Sequence, residues 1–342
     1  MLTFANHISD IGDKFSPDLL APAYLKELKE LCGLFPFDIS ADFGFESRLG
    51  DPAPFCDFFL EIREKSEGAA VLAGKSRISS LSPSLLEDPA WQKISALFSE
   101  WTNPGSFLEE KVFLFWLEFD FVGPGYNPVP NLFFQIRNAK GMTGPDQWSS
   151  MKRVLDEMYL ILFGIRFPDD LGHTMNRSIL ELPKEAFVFQ FGLMLPRKTE
   201  AVRLIIAGLD TKHLSSYLDR LNWSGEKGVI ENLIAKYQHR FDYAVVNLHL
   251  GNEILPDLGL ELYLKNLKQP NWEPRWKENF HFLESESLLL ESKRIGLIGY
   301  CGKKTVAHLY KVNYVNGINH LKLVYKKGMP LGLKGYFGTY IR

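Results

Sequence analysis

The chain has little cysteine, no excess of charge of either sign and no long apolar run. Its 342 residues include three cysteines, Cys32, Cys56 and Cys301, which lie far apart and form no CxxC pair. Such spacing argues against a disulfide framework and favours free thiols in a reducing compartment. With 39 basic and 41 acidic residues, the chain lacks the charged tracts that bind nucleic acid or an anionic membrane surface.

Targeting and catalytic signatures are also scarce. The start of the chain lacks the basic region and apolar core of a signal peptide, and no apolar run is long enough to span a membrane. We therefore expect a cytoplasmic protein that binds neither nucleic acid nor membrane. There is no GxSxG motif, and Gly296–Lys304 lacks the spacing of a phosphate-binding loop, so we interpret it as a helix end and turn. Nothing in the sequence indicates an oligomer, so we expect a monomer.

What is present is a repeated pattern in which two strand-like runs flank a short turn and a helical stretch follows. The turns are rich in Gly and Pro, which reverse the chain and interrupt strand pairing, so each pair predicts an antiparallel hairpin. The pairs begin at residues 41, 112, 186, 243 and 318. The predicted pairs are Ala41–Leu49 with Cys56–Arg63, Val112–Phe121 with Asn131–Asn138, Ala186–Leu195 with Ala201–Leu209, Tyr243–Leu250 with Leu258–Lys265, and Ile318–Tyr325 with Leu331–Ile341.

The stretches between the pairs predict helices, because apolar residues recur at helical spacing. Ser16 and Asp210 are placed to cap two of them. The predicted helices are Pro17–Cys32, Ser82–Trp101, Asp146–Leu162, Thr211–Leu221, Glu226–Tyr237 and Arg275–Ile295. No linker marks a boundary, so we predict a single domain over residues 1–342, with an N-terminal helical segment (1–40) and five hairpin and helix repeats (41–342).

Ten antiparallel strands wrapped by helices can close into a barrel, which leaves no exposed strand edge. We therefore predict an α+β fold: a ten-stranded antiparallel β-barrel of five hairpin and helix repeats, with the helices outside. The alternative is an open sheet whose polar face is solvated. The fivefold repetition and the many helical segments favour the closed barrel.

Side-chain alternation predicts what lines this barrel. On most strands one face is apolar, whereas the other carries charged, amide or aromatic groups; Phe115 and Leu117, for example, alternate with Trp116 and Glu118. The second strand of each pair carries a cation: Arg63, Arg137, Arg203, Lys265 and Lys334. The lumen is also expected to hold the acids Asp42, Glu46, Asp57, Glu61, Glu118, Asp120 and Glu261.

This arrangement resembles the ABBA, or PT-barrel, family of aromatic prenyltransferases, which modify small aromatic compounds, indoles or peptides. The resemblance covers about Ala41 to Arg342 and rests on topology and on the strand faces. The best local match is Lys334-Gly335-Tyr336, which is similar to the Lys-x-Tyr pairs by which fungal members hold the isoprenoid diphosphate. Glu46 lies on the first strand, where similar fungal enzymes place the glutamate that binds the acceptor.

The resemblance implies transfer of an isoprenoid group from an allylic diphosphate to an aromatic small molecule or a peptide side chain. The diphosphate needs cations, the allylic cation needs aromatic faces, and the nucleophile needs a carboxylate. The catalytic candidates are Glu46 and Glu118. The candidates for binding diphosphate or another anionic group are Arg137, Arg203, Lys265, Lys322, Lys334, Tyr263 and Tyr336. The candidates for the lumen and the acceptor are Trp116, Phe133, Gln135, Gln190, Asn247, His249, His320 and Tyr340.

We expect no cofactor and no metal site. Two histidines on different strands, His249 and His320, are more typical of hydrogen-bonded core residues than of metal ligands. Magnesium, which some bacterial members of the family use with diphosphate, is the one exception that the acids Asp42, Glu46, Glu118 and Asp120 leave open.

Two other functions stay open. Only one strand reads Lys-x-Tyr, and the fourth hairpin has Glu261-Leu262-Tyr263 at the comparable place, where an acid would repel a diphosphate. The chain could instead be a PT-barrel-like tailoring enzyme for a peptide natural product that uses no diphosphate donor, or a non-catalytic barrel that binds a small ligand. Convergence of the five strand cations at one level would favour diphosphate, and pairing of each with an acid would disfavour it.

Overall fold

A computed structural model describes residues 2–121, 125–142, 144–197, 201–265, 273–307 and 311–342. Eleven strands lie within these ranges. They are β1 Asp42–Arg48, β2 Cys56–Arg63, β3 Val112–Phe119, β4 Asn131–Ile136, β5 Phe187–Leu193, β6 Val202–Ala207, β7 Tyr243–Leu250, β8 Ile254–Tyr263, β9 Gly302–Ala307, β10 Lys311–Tyr325 and β11 Gly332–Ile341.

Ten of these strands close into one antiparallel barrel. Strands β1 to β8 pair in sequence, β8 pairs with β10, β10 with β11, and β11 returns to β1. The closing register places Glu46 opposite Tyr336. Every strand of the ring is therefore paired on both sides, and the expected α+β fold with a ten-stranded antiparallel barrel is confirmed. The single-domain organisation stays a prediction.

Strand β9 was not predicted and lies outside the ring. It pairs with the first part of β10, from Lys311 to Asn316, and β9 with this part of β10 is called the ribbon. From Tyr314 onward the other edge of β10 already pairs with β11. The expectation of a helix end and turn over Gly296–Lys304 is therefore half right, since the helix ends at Tyr300 but a strand follows. The last hairpin accordingly starts at Lys311 rather than at Ile318.

Helices surround the barrel. Within the described residues they are α1 Ala5–Asp10, α2 Pro22–Cys32, α3 Glu67–Leu72, α4 Pro83–Glu87, α5 Pro89–Trp101, α6 Phe107–Lys111, α7 Gly144–Phe163, α8 Asp169–Leu180, α9 Thr211–Arg220, α10 Lys227–Tyr237, α11 Arg275–Ser285 and α12 Glu291–Tyr300. None of them is long and apolar enough to cross a bilayer.

Three predicted helices needed correction. Ser82–Trp101 is two helices, because the Asp88 side chain caps a new helix that begins at Pro89. The predicted helix over residues 275–295 is also divided, and Ser287, which lies in the break, has a φ of 59° that no helix interior accommodates. The N-terminal helix begins at Pro22 instead of Pro17. The prediction of Asp210 as a cap is confirmed by its bond to the Lys212 N–H.

The apolar strand faces point outward and form the core with the helices. Phe115 of β3 is fully buried and packs against Phe98 and Trp101 of α5, with ring centroids 5.0 and 4.8 Å apart. Burial of such rings stabilises the fold by about 25 cal/mol for each Å² of apolar surface removed from water. Because the core lies between barrel and helices, the inner face of the barrel is free to carry polar residues.

Candidate active site in the barrel lumen

The lumen contains a cavity of about 760 Å³, to which all ten barrel strands contribute side chains. A cavity of this size accommodates a drug-sized ligand. Most of the site residues expected from the sequence line it: Glu118, Arg203, Lys265, Lys322, Tyr263, Tyr336, Trp116, Phe133, Gln135, Gln190, Asn247, His320 and Tyr340.

Two expected site residues lie away from the cavity. Arg137 follows the end of β4 and pairs with Glu64, at 3.1 Å from Nη1 to Oε1, outside the lumen. His249 faces Asp257, with 3.9 Å between Nδ1 and Oδ2. Two further residues, Glu46 and Lys334, do not line the cavity but interact electrostatically with residues that do, as described below.

An aromatic wall occupies one side of the cavity. It consists of Tyr243, Tyr263, His320, Tyr336, Phe59 and Trp116. The first four rings stack in that order, with successive centroids 4.8, 4.5 and 4.2 Å apart. Phe59 lies 6.3 Å from Tyr336 and 5.4 Å from Trp116, and so continues the wall onto β2 and β3. The four stacked rings cover one another's faces, so the electron-rich face that can attract a cation is that of Phe59, whose ring lies over Gly44.

Two glycines make room for these rings. A Cβ on Gly44 would lie 2.4 Å from the ring of Phe59, and a Cβ on Gly192 would lie 2.4 Å from the ring of Phe133. Any side chain at either position would push an aromatic residue out of its place. The absence of a side chain at these two glycines therefore allows the rings of Phe59 and Phe133 to lie directly over the barrel backbone.

The inner charge cluster is a set of three cations and three carboxylates that interact with one another at one end of the cavity. Its members are Arg203, Lys322, Lys334, Glu46, Glu118 and Glu261. Each cation has its own acid partner. Arg203 Nη1 lies 4.0 Å from Glu118 Oε1, and Lys322 Nζ lies 3.5 Å from Glu261 Oε1.

The third pair is the most tightly bonded. Both oxygens of Glu46 are engaged, because the Lys334 ammonium and the Tyr336 hydroxyl each donate to one of them. Burial alone would raise the pKa of Glu46, but the charge and hydrogen bonds of Lys334 and Tyr336 lower it below its ordinary value. This carboxylate therefore stays ionised and is poorly suited to accept a proton.

Glu118 has the opposite character. Burial raises the pKa of its carboxyl; Arg203 opposes this, and the nearby charge of Glu46 adds to it. Its side chain lines the cavity and is held only by the 4.0 Å contact to Arg203 among the ion pairs of the described residues. A carboxylate with a raised pKa and access to the ligand cavity is a suitable proton acceptor.

Lys322 and Glu261 are the remaining ion pair of the inner charge cluster. Glu261 accepts hydrogen bonds from Asn247 at 3.0 Å and from the Tyr263 hydroxyl at 2.8 Å. Burial would raise the pKa of Glu261, but His320, Lys322 and these bonds lower it. Burial, together with Arg203 and Lys334, lowers the pKa of Lys322 to about 8 despite the attraction of Glu261. Lys322 is therefore the cation whose charge is most sensitive to pH near neutrality.

The five strand cations do not converge at one level. Arg63 pairs with Glu61, Arg137 with Glu64, Arg203 with Glu118 and Lys334 with Glu46. Lys265 lines the cavity and is exposed, and its backbone N–H donates to Asp242. Four of the five are thus matched to acids, the arrangement that disfavours diphosphate.

No group of three or more His, Cys, Asp or Glu side chains could hold a metal ion, as far as the chain is described. The acids considered for magnesium are mostly engaged with cations; Glu46 binds Lys334 and Glu118 faces Arg203. Magnesium bound by phosphates needs only one or two protein carboxylates. The expectation of no cofactor and no metal, with magnesium as the open exception, therefore stays a prediction. All three cysteines are free thiols.

Several lining residues were missed by the sequence reasoning. Phe59 lies between Asp57 and Glu61 on the inner face of β2, and the alternation used for other strands would have found it. Phe189 and Asn319 line the cavity because of β-bulges in β5 and β10, which shift the alternation by one residue. No sequence pattern that we used indicates those bulges.

Comparison with known proteins supports the fold. No family model matches the chain, and no curated protein matches it. The apo structure of the prenyltransferase PriB is similar, with 13% identity, a TM-score of 0.55, and coverage of 97% of this chain and 94% of that one. PriB in a binary complex with product diphosphate gives 13% identity, a TM-score of 0.50 and the same coverages. 5-Dimethylallyltryptophan synthase from Streptomyces coelicolor gives 12% identity and 0.48, covering 97% and 95%.

The similarity to PriB defines a class of structure. The chain adopts the ABBA, or PT-barrel, fold, as its resemblance to aromatic prenyltransferases implied. At 13% identity the likeness concerns the fold alone. What the protein does must therefore be argued from the residues in its own lumen.

Proposed function

We propose that the protein transfers an isoprenoid group from an allylic diphosphate to an aromatic acceptor, either a small molecule or an aromatic side chain of a peptide. The observation that carries the proposal is the placement of an aromatic wall beside a charge cluster in one barrel lumen. An allylic cation needs aromatic faces and protection from water, and its leaving group needs cations. The lumen supplies both within a single cavity.

Arg203 and Lys322 are the residues that we assign to the diphosphate. The contact between Arg203 and Glu118, at 4.0 Å, is the longest ion pair of the cluster and exceeds hydrogen-bond length, so the guanidinium of Arg203 has N–H groups that can donate to a phosphate. Lys322 has three N–H donors, which allow it to keep Asn247 and Glu261 while binding a phosphate oxygen. Lys334 is bonded to Glu46 and does not line the cavity, so it acts on the diphosphate through its charge and not through a direct contact.

The transfer step needs one base. The C–O bond of the allylic diphosphate breaks, and its electron pair leaves with the diphosphate. A ring carbon of the acceptor donates an electron pair to the allylic carbon and forms the new C–C bond. The ring then loses its proton to Glu118, whose raised pKa suits it to this role, and water takes the proton afterwards. Glu46, with both oxygens bonded, orients Tyr336 and Lys334.

A second candidate function is favoured by the ion pairing. Because each cation of the inner charge cluster has an acid partner, the cluster is neutral when all its members are ionised. A neutral, aromatic-walled lumen suits an uncharged or zwitterionic aromatic ligand. Such a ligand would be bound by a peptide tailoring enzyme that uses no diphosphate donor, or by a non-catalytic binding barrel.

Product analysis separates the two functions. The protein is incubated with dimethylallyl or geranyl diphosphate and with tryptophan, tyrosine and peptides that contain them, and products are detected by mass spectrometry together with released diphosphate. We expect a prenylated acceptor and an equal amount of diphosphate, both strongly reduced in Arg203→Gln. Absence of product with a folded sample and all acceptors, with and without magnesium, would contradict the transferase and favour the second candidate.

A further inference from the structure

The mouth of the cavity continues onto the ribbon formed by β9 and the first part of β10. Lys303 stands directly opposite Val315, and opposite residues share one face of a sheet. Since Val315 lines the cavity, this face of the ribbon extends the inner wall of the barrel beyond the mouth. By strand alternation and register, the ribbon face consists of Lys303, Thr305, Ala307, Lys311 and Asn313.

The ribbon face is exposed to solvent, whereas the opposite face of the ribbon packs against the N-terminal segment. All five of its residues are exposed. On the other face Tyr314 is fully buried, and its hydroxyl lies 2.8 Å from Nδ1 of His7 in α1. Lys304 Nζ lies 2.7 Å from Asp13 Oδ1. The N-terminal segment therefore fixes the ribbon in place while its front remains accessible.

The outer edge of the ribbon is a sheet edge. In the order of the described strands, β9 stands at the end and pairs with β10 alone. The second edge of β9 therefore presents backbone N–H and C=O groups that no other described strand takes up. Such an edge pairs readily with another extended chain.

The surroundings of this edge carry more cations than carboxylates. Lys303 and Lys311 belong to the ribbon face, and the adjoining cavity is lined by Lys265, Arg342 and Arg63 as well as by Asp42 and Glu61, which pair with Arg63. In the described part of the chain, neither Lys265 nor Arg342 is within ion-pair distance of a carboxylate. A basic edge attracts an acidic chain, whereas the edge of a second copy would bring lysines against lysines.

We propose that β9 is a docking edge for an extended acidic peptide, whose backbone pairs with β9 and which places an aromatic side chain in the cavity. The inference rests on the proposed function and deepens it, because it makes the acceptor a residue of a peptide. A cavity of about 760 Å³ holds little more than one drug-sized ligand. The rest of a peptide acceptor must then lie at the mouth, where the ribbon face begins.

A binding experiment without any donor tests this edge. The probe is a fluorescent acidic peptide of sequence EDEVWVEDE, and its anisotropy is followed as protein is added. We expect saturable binding that Lys303→Glu/Lys311→Glu weakens by at least about tenfold, since two attractions become repulsions. The control Lys93→Glu/Lys326→Glu changes two exposed lysines outside the ribbon and has the same net charge. It should bind within about twofold of the unmodified protein.

A second probe tests the backbone pairing. Peptides of the same sequence, N-methylated on alternate residues in either phase, keep the charges but lose half of the N–H donors. We expect one phase to bind at least about tenfold more weakly than the unmethylated peptide. Equal binding of both phases, equal binding to the ribbon and control variants, or no binding at about 1 mM would overturn the proposal. So would a dimer, seen by light scattering, that the ribbon variant dissociates.

The outcomes also separate this inference from the proposed function. Peptide binding with the expected dependence on Lys303 and Lys311, but without any prenylated product, would support the docking edge and count against the transferase alone. Prenylation of free tryptophan or tyrosine without peptide binding would do the opposite. Equal thermal midpoints for the two double variants and the unmodified protein establish that all are folded.

Discussion

The inner end of the lumen and its mouth both carry charged side chains, but these side chains differ in their exposure to water. At the inner end, Lys322 is buried beside Glu261, and Lys334 is half-buried and bonded to the buried Glu46. At the mouth, Lys265 and Arg342 are exposed. Fixed, desolvated charges act strongly on a reaction, because they need no reorganisation. Exposed charges instead attract a ligand from solution. Under the proposed function, the inner end is therefore the region of the reaction, and the mouth is the region that attracts the ligand.

The largest effect is expected at Glu118. Glu118→Gln should lower kcat for prenyl transfer by about 10²–10⁴-fold, because an amide cannot accept the ring proton. Steady-state kinetics with dimethylallyl diphosphate would measure this. The matched control is Glu64→Gln, which breaks the pair with Arg137 outside the lumen. A Glu118→Gln variant as active as the control would remove Glu118 from the chemistry.

Glu46 should matter most for stability. Glu46 is buried and Lys334 is half-buried, so Glu46→Gln removes the partner of Lys334 and of the Tyr336 hydroxyl and should lower the free energy of unfolding by about 1–3 kcal/mol. Glu64→Gln breaks a half-buried pair and should lower it by at most about 1 kcal/mol. Urea denaturation of both variants measures the difference. Equal losses would show that the inner end of the lumen is no drier than the outer surface.

The aromatic wall predicts a change in the fate of the allylic cation. Tyr263→Leu removes a ring that stacks between Tyr243 and His320, whereas Tyr263→Phe keeps the ring and loses only the bond to Glu261. We expect the ratio of prenylated acceptor to prenyl alcohol to fall roughly tenfold in the Leu variant, because loss of the stacked ring lets water into the aromatic wall. Similar ratios in the two variants would argue against a cation near this ring.

The pH dependence should report on Lys322. Its pKa is lowered to about 8, so it loses its charge as the pH rises through that value. Donor binding should therefore weaken several-fold between about pH 7 and pH 9, seen as a rise in KM for the diphosphate. Lys322→Arg, which stays charged throughout, should abolish this rise if it folds. A pH dependence unchanged in that variant would assign the titration to another group.

The smallest effect is expected at Arg137, which was a candidate for diphosphate binding on sequence grounds. Because its guanidinium pairs with Glu64 outside the cavity, Arg137→Gln should change kcat/KM by less than about twofold. A loss as large as that of Arg203→Gln would mean that the donor binds elsewhere than in the lumen.

Much of the barrel follows from local patterns in the sequence. Alternation along Val112–Phe119 separates Phe115 from Trp116 and Glu118 correctly, because one face packs under helices and the other faces the lumen. Strand β9 was not predicted from the sequence, because Gly302–Ala307 is short, closely follows a helix and contains two lysines. Its pairing depends on β10, not on its own composition.

The connections within the site are not local. Lys334 bonds to Glu46 across 288 positions of sequence, and only the closure of β11 onto β1 brings them together. Arg137 was placed wrongly inside because strand parity was continued past the end of β4. The sequence thus indicates which residue types line the lumen, whereas their ion pairs depend on register and barrel closure.

The most direct test of the account is calorimetric titration with geranyl S-thiolodiphosphate, a donor analogue that resists ionisation. Arg203→Gln and Arg137→Gln remove the same kind of cation from the lumen and from the outside, and circular dichroism and thermal midpoints verify that both are folded. We predict saturable binding to the unmodified protein and to Arg137→Gln, weakened by about 10–100-fold in Arg203→Gln, which lacks a charge-assisted hydrogen bond. No saturable binding at about 1 mM, or equal binding to both variants, would contradict a diphosphate site in the lumen.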